Sequence, residues 1–222
     1  MSAEDPPGAL TAFQIEVARV FFSLPSARGF LLTGGAALLA QHLSARPTHD
    51  LDFLTTRGSD VATARDEFEV AAATRGWTVT RIRDEPQFCR LQVHGPEDLL
   101  VDLLVDAPPS QPSAASALGP TLGREDLAGR KLLALFDRAA PRDFVDVYVL
   151  ARRYGRDLLL DRAAAVDLGF DLAQLAGMIA MLDRYTDDDM PIPAEDAPAL
   201  RDYFRDWRSA LIDDAGNGAS PR

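Results

Sequence analysis

From Leu10 to Leu24 apolar residues recur at helical spacing, with Phe13, Val17, Val20 and Phe21 on one face, and this predicts an opening helix. The apolar run Phe30-Leu31-Leu32 then reads as a short buried strand, Gly34-Gly35 as a tight turn, and Ala36 to Leu43 as a helix. After the break at Pro47, His49 to Leu54 alternates polar and apolar positions, so Asp50 and Asp52 are expected on one face of a second strand. A helix over Val61 to Thr74 follows, then two strands, Thr78 to Arg83 and Phe88 to His94, separated by the turn residues Asp84 to Pro86. Gly95 to Asp98 makes another turn, and Leu99 to Val105 is an apolar strand interrupted by a single carboxylate, Asp102.

Residues 107–120 are rich in Pro, Ser and Ala and read as a connection. Beyond Arg124 the period becomes helical, with segments near 125–138, 141–154, 158–167, 171–184 and 195–212. The pattern predicts an α/β (α+β) chain in which a mixed-sheet lobe over 10–120 precedes a mostly α-helical lobe over 121–214. The polar, proline-rich residues 1–9 and the Gly-, Asn- and Ser-containing residues 215–222 are expected to be flexible.

Composition narrows this picture further. The chain has 222 residues and 47% hydrophobic content, enough for a proper core. No run approaches the ~18 consecutive apolar residues of a membrane span, and the N-terminus lacks an export signal, so a cytoplasmic protein with no membrane partner is expected. The single cysteine, Cys89, and the scattered His42, His49 and His94 argue against a disulfide framework or a structural zinc site. A net charge of −11 argues against a broad nucleic-acid footprint, so any polynucleotide must meet a local patch. Arg75, Arg81, Arg83 and Arg90 in the first lobe and Arg152, Arg153 and Arg156 in the second are the candidate cations, diluted by Asp84, Glu85 and Asp157. Lys131 is the only lysine among 23 basic residues, and a compact ammonium approaches a phosphate as a point charge where a guanidinium is a wide fork.

Three features carry chemistry. A strand that ends in Gly34-Gly35 and opens a helix offers backbone N–H groups to a phosphate, though a Gly-Gly of this kind is often only a turn. Asp50-Leu51-Asp52 sets two carboxylates on one face, where they repel each other unless one is protonated or a cation joins them; magnesium prefers carboxylate and phosphate oxygens. Asp102 inside an apolar strand requires either an arginine partner or a metal; as a third carboxylate it would complete a two-metal site.

The run Leu32-Thr33-Gly34-Gly35-Ala36-Ala37-Leu38, followed by Arg46-Pro47-Thr48-His49-Asp50-Leu51-Asp52-Phe53, resembles the nucleotidyltransferase toxins of the AbiEii/AbiGii type, a branch of the polymerase-beta-like superfamily found in abortive-infection and toxin–antitoxin systems. Lys131 followed by Arg138, Arg142-Asp143 and Asp146 resembles that family's second block. The resemblance implies a bilobed nucleotidyltransferase fold and an enzyme that transfers a nucleotide from a nucleoside triphosphate to an acceptor hydroxyl, releasing pyrophosphate. The acceptor it implies is the 3′ end of tRNA, so that translation is blocked. Magnesium, with manganese as its substitute, would be held by Asp50, Asp52 and Asp102. Gly34, Gly35, Thr48 and Lys131 would bind the nucleotide, and Thr48, Asp50, Asp52, Lys131 and Asp146 would be the catalytic set. A cognate antitoxin protein is the implied partner, and in some systems it phosphorylates the position of Thr48. Other readings on the same fold are transfer to a protein or small-molecule hydroxyl, or a module that binds a nucleotide or a partner without chemistry.

Overall fold

The structure is a computed structural model and describes residues 10–218. The flexible ends expected for residues 1–9 and 219–222 lie outside the described residues. The chain divides into two compact units, Met1–Leu127 and Ala128–Arg222, with the boundary inside a helix.

The first unit begins with α1 (Ala12–Phe22), which Thr11 caps: its hydroxyl accepts from the Gln14 backbone N–H while the Gln14 side chain accepts from the Thr11 N–H. β1 (Leu31–Thr33) runs directly into α2 (Gly34–Ala40), and β2 (Asp50–Thr55) leads to α3 (Gly58–Ala73). β3 (Thr78–Glu85), β4 (Phe88–His94) and β5 (Asp98–Val105) form consecutive antiparallel pairs, as the turn residues between them require. The connection that follows contributes two strands of two residues each, β6 (Ala114–Ala115) and β7 (Pro120–Thr121). Together they make one mixed seven-stranded sheet in the order β3-β4-β5-β2-β1-β7-β6. β2 lies parallel to β5 and antiparallel to β1, so the two strands bearing Asp50, Asp52 and Asp102 are neighbours at the centre of the sheet.

Alternation along those strands decides which side is core. Leu51, Phe53, Val101 and Leu103 are fully buried, and Phe53 stacks on Phe21 of α1 at 4.0 Å between ring centroids. Phe30 and Phe68 of α3 meet Phe21 edge-on, completing an aromatic cluster under the sheet. Asp50, Asp52 and Asp102 therefore point to the opposite face.

The helical unit carries most of α4 (Arg124–Arg138), then α5 (Pro141–Tyr154), α6 (Arg156–Val166), α7 (Leu172–Ile179) and α8 (Ala197–Gly218). The stretch expected as one helix over 171–184 ends its α-helical part at Ile179 and continues as a 3-10 turn, Ala180–Arg184. α8 runs to Gly218, into the segment whose composition suggested a flexible tail. Phe144, Phe204 and Trp207 are buried and in ring contact, with Leu150, Leu159 and Leu175 buried in the same unit. Among the described residues no helix is long and apolar enough to cross a membrane.

Candidate active site

Gly34 follows β1 with φ of +67°, a conformation that favours glycine. A methyl group there would lie 2.8 Å from Asp52 Cγ and nearer still to Oδ2. A methyl on Gly35 would lie 2.9 Å from Thr48 Cβ and would also strike its hydroxyl. The glycine pair is thus the condition for close packing of backbone against Asp52 and Thr48, and this packing explains both glycines more directly than the turn does. α2 has only seven residues, so its dipole offers an anion little.

Asp50 and Asp52 are partly exposed, flanked by the anchors Leu51 and Phe53. The Thr48 hydroxyl donates to Asp50 Oδ1 at 2.7 Å, which fixes the carboxylate's orientation. Thr48 is itself buried, and its carbonyl accepts from Gln14 Nε2 at 2.8 Å. One glutamine side chain thereby ties both the start of α1 and the approach to β2. Gln14 was not singled out in the sequence, where a polar residue on an amphipathic helix carries no mark of its partner.

Asp52 is the register partner of Asp102 on β5, and Asp102 is the register partner of Arg90 on β4, so the three side chains form a row across adjacent strands. Arg90 grips Asp102 with both oxygens engaged, Nε to Oδ1 at 2.8 Å and Nη2 to Oδ2 at 2.6 Å. The bonds to Asp102 hold the guanidinium pKa above its ordinary value, and the charges of Asp102, Asp52 and Asp50 add to this. Asp102 is only 5% exposed. The third carboxylate expected to hold metal is therefore already satisfied by an arginine, the other partner that its burial allowed. Arg90 was weighed only as an RNA contact; counting back equally on both strands from the His94–Asp98 pair beside the turn leads to Arg90 opposite Asp102.

Asp50 and Asp52 suit magnesium by donor type, since that ion characteristically takes one or two carboxylates and completes its shell with water and substrate phosphates. The Gly34 backbone, closed against Asp52 in a space that a methyl would fill, supports the same fit. Among the described residues no cluster of three or more His, Cys, Asp or Glu is arranged to hold a metal ion.

In the helical unit, Lys131 on α4 and Asp146 on α5 form an ion pair at 2.8 Å, with the lysine 8% and the aspartate 1% exposed. Asp143, one turn earlier on the same helix, takes Arg138 instead, through two bonds of 2.8 Å, and accepts from the Ala140 backbone N–H at the start of α5. The division of labour between the two aspartates follows from their spacing: three residues apart, they share a face and meet different cations of α4.

The arginines weighed as RNA contacts divide by unit. Arg81 is engaged by Asp66, Glu69 and Asp84, and Arg83 by Glu85, so those charges are largely neutralised on the surface. Arg152, Arg153 and Arg156 lie instead over the rings of Tyr148, Tyr154 and Tyr203.

The family described as nucleotidyl transferase AbiEii toxin of type IV toxin–antitoxin systems matches residues 18–214. The chain belongs to this family. Membership makes it a nucleotidyltransferase of the toxin class that takes a nucleoside triphosphate as substrate. Among solved structures, JHP933 from Helicobacter pylori is similar at 18% identity and a TM-score of 0.54, covering 94% of this chain and 97% of that one. MenT4, a nucleotidyltransferase toxin from Mycobacterium tuberculosis H37Rv, is similar at 16% identity and a TM-score of 0.55, covering 93% and 90%. At these identities the likeness shows the fold, and it supports the mixed-sheet lobe followed by helices. No curated protein sequence matches the chain.

Proposed function

We propose that this AbiEii-family chain transfers a nucleotide to the 3′ hydroxyl of tRNA, with release of pyrophosphate and arrest of translation as the outcome. The observation that carries the reading is the closed contact of the Gly34-Gly35 backbone with Asp52 and Thr48 on the face that bears Asp50. It brings peptide groups that suit phosphate close to carboxylates that suit a divalent cation.

In this reading Asp50 and Asp52 hold the magnesium. The bound ion would supply charge neutralisation for the triphosphate and a lowered pKa for the acceptor hydroxyl. Thr48 keeps Asp50 oriented through its 2.7 Å bond, and Gly34 and Gly35 receive phosphate oxygens. On family grounds Lys131 is the residue expected to offer positive charge to the triphosphate, and its ion pair with Asp146 restrains the ammonium. A cognate antitoxin is the expected protein partner on family grounds.

The test is transfer of label from each of the four triphosphates to intact tRNA, to periodate-oxidised tRNA that lacks the 3′ diol, and to total cell protein. Label on intact tRNA alone is the expected result, with Asp50→Ala folded and inactive. Label on protein, or equal labelling of oxidised tRNA, overturns the choice of acceptor; an Asp50→Ala chain as active as the wild type overturns the site.

A further inference from the structure

Asp102 is nearly buried, both its oxygens are taken by one guanidinium, and it stands in register beside Asp52. The fork leaves Asp102 only the lone pairs that face away from Arg90, and with its side chain 7% exposed those pairs have little open approach for a metal. Nothing in the arrangement strains the fork: both bonds are of ordinary charge-assisted length and the two residues are direct cross-strand partners.

The arginine is held in other ways as well. Its guanidinium lies 5.6 Å from the centroid of the Phe88 ring, whose other neighbour is Arg83 at 5.1 Å. Its side chain nevertheless remains 43% exposed while that of Asp102 is 7% exposed. Of the five N–H donors of a guanidinium, Asp102 uses one on Nε and one on Nη2, so among the described residues the donors on Nη1 remain for an external acceptor. A planar cation with its orientation fixed from below and donors left over is what a phosphate oxygen requires.

We propose that Asp102 anchors Arg90 rather than ligating metal, and that the anchored guanidinium meets the phosphates of the triphosphate beside Asp50 and Asp52. This rests on the nucleotidyltransferase reading of the site and adds a phosphate-binding residue to it. The metal centre is then built on two carboxylates, with a fixed arginine in the place of a third carboxylate.

The double variant Arg90→Gln/Asp102→Asn has the same net charge as the wild type and removes both partners at once. Mn2+ binding, followed by the loss of the free-ion electron paramagnetic resonance signal, is expected to stay within about threefold of the wild type. Binding of a non-hydrolysable α,β-methylene triphosphate, measured calorimetrically in Mn2+, is expected to weaken at least about tenfold, in line with loss of a charged hydrogen-bonding group. A loss of Mn2+ affinity of tenfold or more in a variant with wild-type circular dichroism shows that Asp102 is a ligand and overturns the proposal, as does unchanged triphosphate binding. Should the double variant fail to fold, Arg90→Lys provides the second test: it keeps the charge but loses the fork, and triphosphate binding is expected to fall with Mn2+ binding unaltered; equal triphosphate binding overturns the proposal. A wild-type chain that transfers nucleotide but fails these tests overturns the role of Arg90 alone, whereas a wild type without transfer overturns the reading beneath it.

Discussion

Replacing Gly34 with alanine imposes two separate penalties that can be measured apart. The first is conformational: at φ of +67° an L-residue is disfavoured by roughly 1–2 kcal/mol. The second is local. The new methyl would lie 2.8 Å from Asp52 Cγ and closer to its carboxylate oxygen, and Thr33 is the register partner of Asp52, so the strand holding the glycine cannot simply drift away. Relief requires the Asp52 carboxylate to move by on the order of 1 Å, and a displacement of that size at a reacting centre lowers a rate by about 10²-fold. Gly76 supplies the control, since its φ of +76° is similar and nothing lies within 4 Å of a methyl placed there. Gly76→Ala is expected to lose about 1–2 kcal/mol in urea unfolding and to keep its transfer rate. Gly34→Ala is expected to lose at least as much stability and about 10²-fold in the initial rate of label transfer to tRNA. If the two variants transferred nucleotide at equal rates, the close contact between the glycine backbone and Asp52 would have no part in the chemistry.

The Lys131–Asp146 pair gives a test of stability separate from activity. Asp146→Asn leaves a buried ammonium without its carboxylate and is expected to cost about 3–5 kcal/mol, while Lys131→Met/Asp146→Leu recovers most of that without restoring transfer; urea midpoints of the two variants decide it. Cys89 is fully buried, and burial foremost, with the nearby Asp84 charge, pushes its thiol pKa up to about 11. The native thiol should resist iodoacetamide at pH 8 and react once urea unfolds the chain. Because the unfolded thiol ionises first, this group contributes stability that is whole below pH ~8.5 and declines by up to about 1.4 kcal/mol per pH unit as pH rises toward 11. A chain whose Cys89 alkylates equally fast folded and unfolded would contradict that burial.

The central strands were legible because their signal is local. Asp50-Leu51-Asp52-Phe53 alternates with period two, and the faces assigned from that alternation are the ones observed. β6 and β7 had no such signal: two residues each within a Pro- and Ser-rich connection, they exist because Thr121 reaches Leu32, far away in the sequence, and because Asp126 at the start of α4 accepts from Ser110 and Gln111. The rarity of the lysine and the motif marked Lys131 and Asp146, while the 2.8 Å geometry of their contact depends on how two helices pack. Arg81 read in the sequence as a candidate cation diluted by its neighbour Asp84; its further engagement by Asp66 and Glu69 was not legible because they belong to α3, whose packing against the hairpin sets the pairing. Charge patches read along a chain overlook partners supplied by neighbouring elements.

The bond from Thr48 to Asp50 also makes the site easy to disable at one atom. The hydroxyl points inward to a carboxylate oxygen, and the space on its other side is filled by Gly35. Any group attached to that oxygen removes the donor Asp50 relies on and, if anionic, sets like charge against it. It would also press on Gly35. Thr48 is 8% exposed, so the attaching agent would first have to catch the segment before β2 lifted from its place, against the hold of Gln14 on the Thr48 carbonyl. Access to this one hydroxyl is therefore governed by local opening, and an enzyme aimed at it would be reading the dynamics of the segment as much as its sequence.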